Sequence, residues 1–132
     1  MSETSATIQK LQRAIVDGLE DVKAVRIDVF NTAHLSPLFE RVIIAEGSSN
    51  RQTRALALSV SEKVCENGFA KPRMEGAENG EWIIVDCGAA VVHVMQPEIR
   101  RYYDLEGIWG GRKIEEDRVG FMFYRAWIAD GK

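Results

Sequence analysis

The sequence has little of what would anchor a chain in a membrane, cross-link it or bind it to nucleic acid. Its 132 residues include two cysteines, Cys65 and Cys87, too few for a disulfide framework or a four-cysteine zinc site. No apolar run approaches the roughly 18 residues that cross a bilayer, and the polar start of the chain lacks the features of a secretory signal. Acidic residues exceed basic ones, giving a net charge of −3, which disfavours binding to DNA. We therefore expect a cytoplasmic protein of one domain that contacts neither DNA nor membrane.

Catalytic and metal-binding motifs are also absent from the sequence. The sequence contains no nucleophile elbow, no paired-histidine zinc motif and no phosphate-binding loop, and it has only two histidines, His34 and His93. Asp28 and Asp86 are single carboxylates on separate predicted strands, whereas metal-dependent nucleotidyl transfer needs a pair that holds the metal. Cys87 follows Asp86 directly and so points to the opposite face of a strand. We expect no catalytic residues, no metal and no cofactor.

Hydrophobic periodicity predicts a mixed α/β domain. Apolar residues at spacings of three and four indicate two long helices, and short apolar or alternating runs indicate strands. In the first strand, alternation predicts that Val25, Ile27 and Val29 point inward. We expect a mixed sheet of about five strands packed with helices. The predicted elements are helix 5–20, strands 24–30 and 42–45, helix 50–67, strands 69–75, 82–87 and 90–95, and helix 97–105.

Local signals predict where the two long helices begin and end. Ser5 or Thr7 is placed to cap the first helix. Ser49 and Gln52 have the spacing of a capping box, in which each side chain bonds to the backbone at the other position. Gly68 is expected to end the second helix in a left-handed conformation.

The segment 82–95 predicts a hairpin with two different faces. A two-residue turn at Gly88 and Ala89 would pair Ile84 with His93. One face is plainly apolar. The other is mixed and suits an interaction surface, in which aromatic residues and methionine are enriched, although a helix lying over it fits the pattern equally well. The mixed face comprises Trp82, Ile84, Asp86, Val91, His93 and Met95.

Two further expectations concern polar groups near this hairpin. Asp86 is expected to favour the charged form of His93, so that partner binding would change between about pH 6 and pH 8. In the following segment, 100–105, arginine and tyrosine are the residue types that dominate binding hot spots. The alternative there is that Tyr103 or Leu105 packs inward while the arginines are solvated.

Several segments in a fixed order resemble the ribosomal silencing factor family, also called Iojap-related. The resemblance spans residues 8–109 and implies a nucleotidyltransferase-like fold that lacks the enzyme's catalytic carboxylates. The segments are Glu75-Gly76, Gly80-Glu81-Trp82-Ile83-Ile84-Val85-Asp86, Val91-Val92-His93-Val94-Met95, Pro97-Glu98-Ile99-Arg100, Tyr103-Asp104-Leu105-Glu106 and Trp109, with a softer match over 43–52.

The resemblance implies a translational repressor rather than an enzyme. Such a protein binds the large ribosomal subunit through its uL14-family ribosomal protein, blocks association with the small subunit and lowers translation when nutrients are scarce. The acidic balance of the chain favours contact with a basic protein and little direct contact with rRNA. The residues that the resemblance assigns to partner binding are Trp82, Asp86, His93, Tyr103, Leu105 and Trp109.

The chain departs from the family pattern at two places. Ala89 stands in a turn where the family usually has an acidic residue, which removes one expected charge contact. Residues 1–111 are expected to form the family domain, and 112–132 a C-terminal extension, charged and then apolar, of unknown role. Two alternatives stay open: a small nucleotidyltransferase-like enzyme with an anion site at Ser48 and Ser49, and a homodimeric scaffold joined by the apolar tail.

Overall fold

The element order predicted from the sequence is confirmed. The computed structural model describes residues 3–33 and 38–103. None of the helices in these two ranges is long and apolar enough to cross a membrane. The elements are α1 (Glu3–Asp21), β1 (Val25–Asn31), β2 (Arg41–Glu46), α2 (Asn50–Glu66), β3 (Arg73–Glu75), β4 (Trp82–Asp86), β5 (Ala90–Met95) and α3 (Pro97–Tyr103).

The five strands form one mixed sheet in the order β1-β2-β5-β4-β3. β2 and β5 run parallel, and the other neighbouring pairs are antiparallel. A parallel pair needs a crossover connection, and α2 lies within the chain that joins β2 to β5. The predicted mixed α/β sheet of about five strands is therefore confirmed, with β3 at an edge as Pro72 just before it indicated.

Helices α1 and α2 cover one face of this sheet with the stripes predicted from periodicity. Their buried side chains meet the inward residues of the central strands β2, β4 and β5 in one cluster. Burial of this apolar surface is the main stabilising contribution to the domain. The stripes are Ile8, Leu11, Ile15 and Leu19 on α1, and Leu56, Val60 and Val64 on α2.

The helix-capping predictions are partly confirmed at α2 and wrong at α1. α1 begins before Ser5 and Thr7, so both lie inside the helix and the prediction that either caps it was wrong. At the start of α2 the Ser49 hydroxyl accepts the Gln52 backbone N–H at 3.1 Å, as predicted. The Gln52 side chain instead accepts the N–H of Ser48 at 2.7 Å, one residue earlier than a capping box places it.

Two glycines have defined structural roles at the helices. Gly68 ends α2 as predicted, with φ of 90°, and the N–H of Phe69 then donates to the Val64 carbonyl at 3.2 Å. Gly18 lets α1 approach α2 closely, since a Cβ there would lie 3.0 Å from the Ser59 carbonyl oxygen. The Ser59 hydroxyl donates to the Gly18 carbonyl at 2.7 Å and fixes the crossing.

The prediction that Val25, Ile27 and Val29 all point inward from β1 was wrong. Val25 is 52% exposed and Val29 39% exposed, while Ile27 is half-buried. β1 is an edge strand, and its register with β2 is irregular between Val25 and Asp28. Arg26 in that interval has φ of 52°. A bulge of this kind breaks the two-residue alternation on which the prediction relied.

Candidate functional site

The predicted hairpin forms, and its mixed face is buried rather than open. β4 and β5 pair Ile84 with His93 and Asp86 with Val91, as predicted. Phe39, which precedes β2, and Ile99 of α3 pack against this face. The alternative in which other parts of the chain cover the face therefore describes the structure better than an open interaction surface does. The cluster comprises Phe39, Val42, Ile44, Trp82, Ile84, Val91 and Met95, with Phe30 and Ile99 at its margin.

Three of the predicted binding residues lie together at one end of this face. The Trp82 indole N–H donates to His93 Nδ1 at 3.0 Å. The ring of Tyr103 lies 4.8 Å from that of Trp82, centroid to centroid, at an interplanar angle of 47°. Trp82 is 8% exposed and His93 1%, whereas Tyr103 is 38% exposed. Tyr103 therefore offers the largest open surface of the three, and His93 holds Trp82 from beneath.

His93 is a buried neutral imidazole. Burial lowers its pKa to about 3, and Nδ1 must be unprotonated to accept the indole hydrogen. Its cross-strand neighbour is Ile84, while Asp86 lies two pairs further along, opposite Val91. The expectation that Asp86 would favour charged His93 between pH 6 and pH 8 was therefore wrong, because burial sets the pKa of His93.

The lowered pKa of His93 predicts how stability depends on pH. In the unfolded chain a histidine has a pKa of about 6.5. Above that pH both states are neutral and His93 contributes no pH dependence. As the pH falls from about 6.5 toward 3 only the unfolded chain binds the proton, so the free energy of unfolding drops by up to ~1.4 kcal/mol per pH unit. Urea unfolding at pH 7, 6 and 5 measures this slope.

His93→Asn is the matched control for this pH dependence, because asparagine keeps an oxygen acceptor for the Trp82 indole and does not titrate. We expect the variant to lose most of the slope between pH 6.5 and pH 5, even though its stability at pH 7 is lower. Equal slopes in the two proteins would show that His93 titrates normally in the folded chain.

A groove of about 570 Å³ opens beside Trp82 and Tyr103, between α3 and the connection from β3 to β4. Its apolar wall includes Met74 and Ile99. We call it the acidic–aromatic groove, because its lining also carries three carboxylates. The Glu75 carboxylate lies 3.7 Å from the Arg73 guanidinium and forms an ion pair with it. Glu78 and Glu81 are exposed to solvent. An aromatic surface with carboxylates around it suits a basic side chain of a partner protein. The lining residues are Met74, Glu75, Gly76, Ala77, Glu78, Asn79, Glu81, Trp82, Ile99 and Tyr103.

A buried ionic network next to this surface was missed by sequence reasoning. Arg100 of α3 is 1% exposed, although the sequence favoured a surface position. Its guanidinium donates to the Arg26 carbonyl at 2.6 Å, to Glu46 at 3.4 Å and to the Asp28 carboxylate. Glu46 also accepts from the Arg26 side chain at 3.1 Å. One signal in the sequence was Glu46, because a carboxylate at the end of a buried strand needs a basic partner and so predicts a buried ion pair.

Asp28 and Asp86 do not meet. Two strands separate β1 from β4, which places the two residues about 14 Å apart or more at the usual strand spacing. One oxygen of Asp86 accepts the Gly88 N–H at 2.9 Å in the hairpin turn. Burial, and to a lesser extent Asp86 and Cys65, raise the pKa of Cys87 to about 12, so this thiol is protonated at neutral pH. In the described ranges no three His, Cys, Asp or Glu residues form a group that could hold a metal ion.

The remaining predicted binding residues are not near Trp82 or lie outside the described residues. Asp86 is at the opposite end of β4 from Trp82, about 13 Å along the strand. Leu105, Trp109 and the 112–132 extension lie outside the described residues, and the predictions made for them stay predictions. The structure thus brings together Trp82, His93 and Tyr103.

The comparison with known proteins decides the family. A family model described as "Ribosomal silencing factor during starvation" matches residues 5–123. The chain belongs to this family. Ribosomal silencing factor RsfS of Chromobacterium violaceum is 48% identical over 106 residues, which cover 80% of this chain and 87% of that protein. The resemblance drawn from the sequence motifs is therefore confirmed.

More distant and structural relatives agree with membership of the ribosomal silencing factor family. A crystal structure of a Chromobacterium violaceum protein superposes with a TM-score of 0.76 at 48% identity, covering 80% of this chain and 88% of that one. An Iojap-related mitochondrial protein of Arabidopsis thaliana is 28% identical over 109 residues, covering 75% of this chain and 56% of that protein. The α/β fold described above is that of this family.

Proposed function

We propose that this ribosomal silencing factor family member binds the large ribosomal subunit and blocks its association with the small subunit, which represses translation when nutrients are scarce. Binding takes place through the uL14-family ribosomal protein of the large subunit. The protein acts in the cytoplasm, as a binding protein without catalysis or cofactor. Membership of the family over residues 5–123 is the observation that carries this proposal.

The acidic–aromatic groove supports docking on a basic ribosomal protein. Glu78 and Glu81 are exposed and line the same groove as Tyr103. Complementary charge speeds association and fixes orientation, and negative charge repels rRNA, so direct rRNA contact is small. His93 supports Trp82 from the core. The residues proposed for partner binding are Trp82, Asp86, Tyr103, Leu105 and Trp109 by contact, and His93 through its support of Trp82.

The environment of the candidate catalytic groups supports a binding role over the nucleotidyltransferase-like alternative. Asp28 pairs with Arg100, and within residues 3–33 and 38–103 no three His, Cys, Asp or Glu residues form a group that could hold a metal ion. The Ser48 hydroxyl donates to the Gln52 side chain at 2.7 Å, and the Ser49 hydroxyl caps α2, so both have local structural partners. The alternative in which the apolar tail joins two copies concerns residues outside the described ranges and stays a prediction.

Reversing charge at the acidic–aromatic groove should weaken binding to the large subunit. We expect the double variant Glu78→Lys/Glu81→Lys to bind about tenfold more weakly or worse, ~1.4 kcal/mol, because like charges then face each other across the interface. The loss should shrink as salt is added, since ions screen exposed charges. Co-sedimentation with purified large and small subunits at two salt concentrations measures both effects.

The matched control carries the same charge change on exposed residues of α2, Glu62→Lys/Glu66→Lys. This control should bind the large subunit within about twofold of the unchanged protein, because long-range attraction is largely screened beyond ~10 Å at 0.1 M salt. Equal losses in the two double variants would assign the effect to net charge and remove the groove from the docking surface. A wild-type protein that sediments with the small subunit would contradict the proposed function itself.

A further inference from the structure

The bulge in β1 forms a socket for one side chain of α3. Arg26 has φ of 52°, a conformation that is uncommon for residues other than glycine and that the surroundings must hold in place. In this conformation its carbonyl faces Arg100 and its side chain reaches Glu46. Asp28, at the end of the irregular register, supplies a carboxylate to the same guanidinium. Bulges often re-aim side chains in this way beside functional sites.

Helix α3 needs such an attachment to keep its position. The structure describes seven residues of this helix, and a segment of that length is not stable in isolation. Its start is tied to the residue just before β4, because the Gln96 N–H donates to the Glu81 carbonyl at 3.0 Å. Ile99 packs at the margin of the mixed-face cluster, and Tyr103 lies against Trp82. Arg100 is the residue of α3 that is fully buried, and its guanidinium bonds to two further strands, β1 and β2.

We propose that Arg100 is a positioning residue whose insertion into the Arg26–Asp28–Glu46 socket holds α3 so that Tyr103 and Ile99 complete the acidic–aromatic groove. The socket fixes orientation as well as position, because the planar guanidinium meets acceptors in several directions. As far as it concerns binding, this inference rests on the proposed function. Arg100 itself is buried, so its effect on binding is indirect.

Replacing Arg100 is expected to open α3 locally without unfolding the domain, because the carboxylates of Glu46 and Asp28 that remain are not left buried and unpaired. In Arg100→Met, Glu46 keeps its ion pair with Arg26. Asp28 has a side chain that is 48% exposed and can be hydrated. Removing one partner of a buried pair is costly when a lone charge stays buried, and here neither carboxylate meets that condition. The main helix–sheet core on the other face of the sheet is untouched.

Hydrogen exchange and large-subunit binding test the inference on the same samples. In Arg100→Met, the amides of residues 100–103, which begin with the Arg100 N–H that donates to the Gln96 carbonyl, should exchange roughly 10- to 100-fold faster. This is the size expected for lost hydrogen bonds to charged groups. Amides of β4 and β5 should exchange as in the unchanged protein. Binding to purified large subunits should weaken by about tenfold, within the range of coupling between distant sites. Asp28→Asn, which keeps most of the socket, should shift both readouts in the same direction by less.

Arg101→Met is the matched control, since it removes the same charge from an exposed position on the same helix. It should leave the exchange of the α3 amides near the wild-type values. The inference is overturned if α3 keeps its protection in Arg100→Met, or if α3 opens while the affinity for large subunits is unchanged. Failure of the wild-type protein to bind large subunits would refute the proposed function, and the exchange rates of α3 would still decide whether the socket holds the helix.

Discussion

Trp82→Ala is expected to lower the free energy of unfolding by about 3–5 kcal/mol, the usual cost of removing a large buried aromatic side chain. Trp82 is 8% exposed and packs in the cluster that contains Ile84 and Met95. The substitution leaves a cavity there. It also leaves buried His93 without the indole donor to its Nδ1, which adds to the loss. Urea unfolding of the variant and the unchanged protein measures the difference.

Tyr102→Ala is the control for this expected loss of stability. Tyr102 is 80% exposed and touches Tyr103 edge-on, with ring centroids 4.9 Å apart. Its removal should cost less than about 1 kcal/mol. If Trp82→Ala instead unfolds at the wild-type urea concentration and loses only partner binding, Trp82 is an exposed anchor and its burial in the mixed face is incorrect.

Regular patterns in the sequence were enough to predict most of the sheet and both long helices. The apolar stripes of α1 and α2 follow the helical period, and the hairpin register follows from a two-residue turn. The division of β4 and β5 into two faces was therefore correct residue by residue. Which element covered the mixed face was not predictable, because the pattern of a covered face and of an exposed interface is the same.

Contacts between distant parts of the chain account for what the sequence did not reveal. Arg100 meets Glu46 and Asp28 across separations of 54 and 72 residues, and no local pattern links them. The bulge at Arg26 lies within this network and breaks the alternation of β1. The same limit applies to the candidate site: Trp82 with His93 follows from the hairpin register, whereas the placement of Tyr103 requires knowing where α3 docks.

If binding of this protein to the large subunit excludes the small subunit, the protein should have a large effect on subunit joining. A ligand that binds the large subunit and shares no complex with the small one removes large subunits from joining in proportion to its occupancy. At about ten times its Kd, roughly nine-tenths of the large subunits are occupied. The peak of joined particles should then fall several-fold, and more protein should lower it further. A docked protein that left the joining surface open would give no such dependence.

Sedimentation of both purified subunits in the presence of excess protein is the measurement that tests the proposed function most directly. The proposal predicts that the peak of joined particles falls with protein concentration. It also predicts that the protein appears in the large-subunit fraction and is absent from the small-subunit and joined fractions. A joined peak of unchanged height at saturating protein, or joined particles that carry the protein, would contradict the claim that this family member acts by blocking subunit association.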